Sequence, residues 1–562
     1  MTGKSQAEGG ADLVLRGARV ITMNPTAPAA DAVATNNGRI VAVGTSDEIG
    51  KLAGPDTEIV DLDGLTVIPG FNDTHAHMDR EGLKAQRPSL EGAQSIADIL
   101  QRVSDVAANT PPGEWIVTMP VGTPPCYFGG PETLAENRMP TRQELDSVAP
   151  DHPVCIAGVF ANWGAPPGYT ALNSRALELN GIRRDTEPRC SGIEIDRDES
   201  GEPTGVIIET NQRPFIEFDL LPAVPRFGLQ ERIDGIRHSM QVYNAVGTTS
   251  VYEGHGLSAQ TVAAYRDLWE KGDLSVRVAL TLSPAWRDIA EARTIMRDWL
   301  GHARGRGMGD PWFWITGVHI AYGGESAVAD LAREDLPNTG WSGFVEQAVS
   351  QKDFRDYCLT AAEYDLRVHT IVGDDLQDLV PALVEVGERY PIGERRWVVE
   401  HIGRARQEDL ETLRKLGVQV TTIPAYFVWK GGGWYADDPD FGESVVAHRA
   451  MLDLGIPVAA GTDNIPYDPF FTLWVMSTRH ERHENRVLGP NQRISGAESL
   501  DLLTRQGARL TFEEDRKGIL ASGYYADIAV LSDDPTSMDP EKLRDLRCHL
   551  TIAGGKVVHR DL

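Results

Sequence analysis

Eight short apolar runs recur along the chain, and amphipathic stretches separate many of them. They are Leu65–Phe71, Thr248–Tyr252, Val276–Leu282, Trp314–Ala321, Leu366–His369, Trp397–His401, Val418–Ile423 and Pro457–Gly461. Helical spacing fills Asp353–Tyr364, Asp375–Val386 and Gln407–Leu416 between the later runs. Strands that are apolar almost throughout, rather than alternating, are covered on both faces, as in a parallel sheet connected by helices. Eight is the number at which such a sheet closes, so the expected class is α/β, a (β/α)8 TIM barrel. The rival is an open doubly wound sheet, but no G-x-G-x-x-G turn follows the first run.

At 562 residues the chain exceeds what one compact core usually holds. Both ends read as short strands separated by Gly, Asn and Pro turns, Asp12–Ile21, Gly38–Gly44 and Glu58–Leu62 at one end, Ala526–Leu531 and Leu550–Val558 at the other. We therefore expect a small β-sandwich assembled from residues 12–66 and 513–562. The barrel starts within 67–85 and resumes over 241–512. About 170 residues separate the first two barrel strands, far more than one crossover uses, so 86–240 is expected to be an ordered insertion over the barrel mouth.

A net charge of −28 and a pI near 4.9 repel phosphate backbones and anionic membranes, which excludes nucleic acid and lipid headgroups as partners. Five scattered cysteines without a C-x-x-C pair fit neither a disulfide framework nor a thiolate zinc site. The first residues have no apolar core, and no uncharged apolar run reaches the length of a membrane span. The expectation is a cytoplasmic protein acting on a small molecule.

The chemistry concentrates at strand ends. In Pro69-Gly-Phe-Asn-Asp-Thr-His-Ala-His77, two histidines at i and i+2 of an extended segment project the same way, as two ligands of one metal must. Alone, such a pair is a weak signal. Three later runs also end in metal-type ligands, His369, His401 and Asp463. In a barrel all these ends open on one face, where barrel enzymes keep their active sites. A divalent cation bound there, zinc being the usual choice of imidazole, lowers the pKa of water towards about 7 and makes hydroxide available. Asp463 would take a proton and return it to the leaving nitrogen, and His401 or the metal would polarise the carbonyl.

These motifs resemble the amidohydrolase superfamily, and within it the family 3 branch of N-substituted formamide deformylases. Asn173-Ser-Arg-Ala-Leu177, Gly201-Glu-Pro-Thr-Gly-Val206, Gly461-Thr-Asp463 and the closing Gly518 to Asp527 stretch carry the same likeness. The resemblance implies His75, His77, His369, His401 and Asp463 as metal ligands, with His401 also able to donate to the substrate oxygen. It implies one or two divalent ions, and a homodimer or larger homo-oligomer. One departure matters. His319 stands in the fourth strand where relatives carry a lysine modified to a metal-bridging carbamate. Histidine cannot form that bridge but can ligate one metal, so a mononuclear or asymmetric site is expected.

His255 follows the second strand and is a candidate substrate contact, as are Trp163, Tyr322, Tyr426 and Trp429 in the loops of the mouth. No G-x-S-x-G elbow points to a serine nucleophile. The expected activity is metal-dependent hydrolysis of a C–N bond in a small amide, N-formyl, N-acyl or cyclic. Deamination or urea-type hydrolysis on the same site is the alternative, and a catalytically silent metal-binding protein is the reading from another class. Imidazole suits zinc, manganese, iron and nickel alike.

Overall fold

A computed structural model describes residues 10–158, 167–210, 215–284, 286–322, 350–438 and 442–562. Eight parallel strands follow one another in sequence order: Phe71–Asp73, Thr248–Leu257, Arg277–Leu282, Phe313–His319, Val368–Ile371, Val398–Glu400, Gln419–Thr422 and Val458–Ala460. Each pairs in parallel with the next. The first and last segments are stitched by Asp463 N–H donating to His75 O (2.8 Å) and Thr74 N–H to Ala460 O (3.5 Å). The sheet thus nearly closes, as eight strands should.

The connecting helices bury one face each. Gln407–Leu416 turns Leu410 and Leu413 inward, opens with Arg406 N–H donating to the Asp409 carboxylate (3.3 Å), and stops at Gly417 with φ 69°. That left-handed residue ends a helix at least cost when it is glycine. Leu376–Gly387 buries Leu379, Leu383 and Val386 in the same way. Against them pack Val399, Val420 and Val458 from the outer face of the strands, forming the largest hydrophobic cluster of the molecule.

The expected first barrel strand, Leu65–Phe71, divides in two. Thr66–Pro69 belongs to the terminal sheet, pairing with Ala11–Ile21 and Ile528–Leu531, and only Phe71–Asp73 enters the barrel. Gly70 marks the change. A Cβ there would fall 2.3 Å from Thr249 Oγ1, so only glycine lets the strand pass so near its neighbour.

Strands from both ends make one eight-stranded sheet, with Thr66–Pro69 joining the N-terminal strands to Ile528–Leu531. Leu13, Leu15, Val33, Val67, Ile528, Val530 and Leu550 share one cluster across that junction. Between the first two barrel strands lies a separate five-stranded sheet, built from Ile116–Thr118, Val154–Ile156, Gly168–Leu172, Ile193–Arg197 and Pro203–Glu209. Among the described residues no helix is long and apolar enough to cross a membrane.

Candidate metal centre

The His-x-His segment is held from both sides. Asp73 accepts from His75 N–H (3.2 Å), Thr462 N–H (3.0 Å) and Thr462 Oγ1 (2.5 Å), tying the first strand to the eighth. Asn464 grips the next turn: its Oδ1 accepts from His77 N–H (3.1 Å), and its Nδ2 donates to His77 O (3.0 Å) and Glu81 Oε2 (2.7 Å). Gly461 lets the two strands approach this closely, because a Cβ there would lie 2.4 Å from His75 N. His401, Asp463 and Asn464 all take positive φ, near 55–58°. Left-handed backbone is costly for such residues and recurs where a side chain must be aimed inward at a functional site.

The outcome is a compact cluster. His75 Nε2 faces His401 Nε2 at 2.8 Å and Asp463 Oδ1 at 3.7 Å, and His77 Nε2 lies 2.7 Å from the same Asp463 oxygen. Ligands about 2.0–2.1 Å from zinc stand roughly 3.3 Å apart across a tetrahedral edge, so these spacings suit one ion. Burial holds the His75 and His77 imidazoles well below the usual histidine range, with the neighbouring histidines and Arg80 acting in the same direction. Neutral imidazole is the form that binds metal. Asp463 Oδ2 is buried and makes no hydrogen bond. Burial pushes the Asp463 carboxyl up to about 7, opposed by Lys430 and Arg80. The donor set therefore fits a divalent cation held by His75, His401 and Asp463, with His77 Nε2 beside the same Asp463 oxygen.

Behind His75 stands Glu400, fully buried, with Oε2 3.0 Å from His75 Nδ1 and Oε1 3.9 Å from His369 Nδ1. A carboxylate at Nδ1 keeps the ring proton there and leaves Nε2 free to ligate. His369 is turned towards Tyr252, whose hydroxyl lies 3.0 Å from Nε2 and also contacts Nδ1. Burial takes this imidazole down to about 3. His319 is buried beside His369 in ladder register. Among the described residues, the groups whose ligand atoms lie within 4.8 Å of one another are His75 with His401 and Asp463, His75 with His77 and His255, and His77 with Asp79, Glu253 and His255; none includes His319 or His369. They do include His255, whose ring centroid is 4.0 Å from that of His77. The structure sets His255 among the metal-type side chains of the interior rather than in a loop of the mouth.

Of the aromatic candidates, Tyr426 lies edge-on to His401 with centroids 5.7 Å apart. It sits on a single π-helical turn, Ala425–Lys430, a distortion that recurs at functional sites. Trp429, on the same turn, packs against Phe471 (4.9 Å) and Phe128 of the insertion (5.7 Å). Tyr322 packs on Phe354 of the following helix (5.9 Å). Trp163 falls outside the described residues.

Four contributors escaped the sequence reading. Glu400 had a signal, since a carboxylate inside the apolar run Trp397–His401 must be buried with it. Asp73 and Asn464 had none, because each acts through backbone groups of a distant strand. Lys430 also had none. Its ammonium is buried over the Tyr426 ring, 4.4 Å from the centroid, and burial lowers it to about 7 against the pull of Asp463.

Known proteins agree with this architecture. An N-substituted formamide deformylase from Arthrobacter pascens is 25% identical over 97% of this chain and 97% of its own. A putative amidohydrolase of Bacillus subtilis, YtcJ, is 25% identical over 97% of this chain and 99% of its own. The crystal structure of an uncharacterised metal-dependent hydrolase from Pyrococcus horikoshii superposes with a TM-score of 0.67 at 21% identity, over 94% of this chain and 99% of that one. That last likeness speaks to the fold. The sequence pattern of the amidohydrolase family matches residues 58–559, from the terminal sheet through all eight barrel strands to the last strand of the chain, and the chain belongs to that family.

Proposed function

We propose that this protein is a metal-dependent amidohydrolase that hydrolyses a C–N bond of a small amide, N-formyl, N-acyl or cyclic. The observation that carries the reading is the convergence of His75, His401 and Asp463 from three segments into one buried set, with His77 Nε2 beside the same Asp463 oxygen. A cation bound there supplies Lewis acidity, lowering the pKa of water and polarising a carbonyl. Zinc is the reading for its identity, on the imidazole-rich donor set.

The chain's own residues do the rest. Asp463 carries an oxygen without a hydrogen bond, and burial lifts its carboxyl into the neutral range. It can accept a proton from water and deliver it to the departing nitrogen. Glu400 fixes the His75 ring from behind. Tyr426, with Lys430 over its face, lies along one side of His401, where the acyl portion of a substrate would rest. Excluding water there strengthens every charge interaction. The full-length likeness to a deformylase favours formamides within the amide class.

A second reading, deamination or urea-type hydrolysis, is favoured by one observation. His319 stands where the family resemblance implies a lysine and belongs to none of the grouped ligand-type side chains, as a one-metal site would have it. The test is a panel of N-substituted formamides, N-acyl amines, cyclic amides and amino-heterocycles offered to the zinc-loaded enzyme. Formate or another carboxylate released with an equal amount of amine, or a ring-opened product carrying both groups from a cyclic amide, supports the amide reading. Ammonia alone supports deamination. No turnover with any compound, in protein shown to carry metal, would overturn both.

A further inference from the structure

On the second-strand side of the centre lies another group of ligating side chains, which the proposed reaction does not use. Asp79, on the short turn Met78–Glu81, meets Glu253 and His255 of the second strand, and with His77 all four present ligand atoms within 4.8 Å of one another. Glu253 and His255 stand at i and i+2 of one strand, so both turn the same way. Two hydrogen bonds fix Glu253: Asp79 N–H (3.1 Å) and Tyr265 Oη–H (2.6 Å) both donate to Oε1. Its other oxygen, Oε2, is left facing His255 Nδ1 at 3.5 Å. Asp79 Oδ1 lies 3.7 Å from His255 Nε2 and 4.0 Å from His77 Nδ1.

These separations exceed a hydrogen bond and approach the edge of a coordination polyhedron, roughly 3.3 Å for zinc. Both Asp79 carboxylate oxygens, Glu253 Oε2 and both nitrogens of His255 are buried without a hydrogen bond of good geometry, and what joins Asp79 to His255 is a long contact of 3.7 Å. Buried polar groups are normally satisfied, and an unmade set gathered within 4.8 Å asks for an occupant. Two other buried histidines meet a partner: His448 Nε2 is 2.8 Å from Thr422 Oγ1, and His369 meets Tyr252. The cationic neighbours are Arg80, whose Nε is 3.4 Å from Asp79 Oδ1 and whose guanidinium touches His77, and Arg232, whose field reaches Asp79 from the helix Leu229–Ala245. They offset the two carboxylates, so the group selects by donor type and geometry rather than as an acidic patch.

We propose that Asp79, Glu253 and His255 form a second divalent-cation site beside His77, on the second strand and not at the positions of His319 and His369. One imidazole and two carboxylates suit zinc, manganese or iron. The assignment rests on these residues alone and holds whichever substrate the first centre turns over.

The test uses full-length protein stripped of metal and reloaded with zinc. Bound metal is measured per chain, and crystals of the loaded protein are examined for anomalous scattering at the zinc edge. The expected result is about two ions in the wild type, with one peak bounded by Asp79, Glu253 and His255. Glu253→Gln and His255→Gln should each bring the content to about one and remove only that peak, while Asp463→Asn should remove only the other. A wild-type map without density between Asp79, Glu253 and His255 would overturn the proposal, including when a second ion is found between His319 and His369. The wild-type map needs no variant to fold. A peak missing at His75, His401 and Asp463 would instead count against the reaction proposed above.

Discussion

The two ends of the barrel handle buried charge in opposite ways. At the bottom, Arg277 opens the third strand and reaches Asp527 of the terminal sheet through two hydrogen bonds (2.7 and 3.1 Å), while Gly554 N–H donates to the same carboxylate (2.8 Å). Its guanidinium also lies over Trp312 and Tyr525, at 4.2 and 4.1 Å. At the top, Asp463 Oδ2 and Glu253 Oε2 are equally buried and make no hydrogen bond. A closed network fastens one layer to the next. An open one stores affinity for something yet to bind. This division matches the general habit of barrels, with stability at the N-terminal face and chemistry at the C-terminal face.

The sharpest way to break the comparison is at the top. Asp463→Ala is expected to lower turnover by about 10²–10⁴-fold, the range assigned to a positioned proton carrier. The thermal midpoint should stay level or rise, since a buried carboxyl with an unmade hydrogen bond is removed. Metal removal should abolish hydrolysis, and zinc should restore it in the wild type but not in the variant. Near-normal turnover, or a variant that unfolds, would mean that the top is built for stability after all.

At the bottom the reverse should hold. Arg277→Met leaves Asp527 buried without its ion partner, a change that costs about 3–5 kcal/mol. Denaturant melts would read this loss, and turnover per folded chain should stay close to wild type. A loss under about 1 kcal/mol, the size of an exposed pair, would show that the terminal sheet is not anchored through this bond.

What the sequence made legible follows the same division. The eight runs, the helix Gln407–Leu416 and the closeness of His75, His401 and Asp463 could be read because each is local: an apolar run ending in a metal-type side chain on a known face. The changeover at Gly70 could not, since it depends on Thr249 of another strand. His369, expected as a ligand, has its ring against Tyr252 and Glu400, a direction set by neighbours across the barrel as well as by its place at a strand end. His255 moved the other way. Its strand runs on to Leu257 rather than stopping at Tyr252, which turns a loop histidine into an interior one.

Glu400 tests how far the open network is organised. Glu400→Gln keeps the shape but weakens the hold on His75 Nδ1. Loss of such a carboxylate behind a ligating histidine costs 10–100-fold in metal affinity or activity, as an order of magnitude. Metal competition with a chelator would read the affinity directly. An unchanged affinity would assign Glu400 to the His369 side alone.

The smallest effect calibrates the rest. Arg138 and Glu144 form a two-bond ion pair in the insertion (2.8 and 2.7 Å), with both side chains partly exposed. The arginine, helped by Thr141, holds the Glu144 carboxyl down to about 2, from an ordinary value of 4.5. A depressed carboxylate stabilises the fold above its unfolded value and loses that contribution as pH falls through the folded one. Glu144→Gln keeps the helix cap at Thr141, since glutamine serves at that position as glutamate does. Only the charge is removed. The variant should differ from wild type by at most about 1 kcal/mol near pH 7, because solvent screens the pair. The gap should close between about pH 4.5 and 2. Melts across that window would check it, and a gap that persists at pH 2 would mean that Glu144 acts through packing. The contrast with Arg277 would then rest on burial alone, because both are arginine–carboxylate pairs with two hydrogen bonds and differ chiefly in access to water.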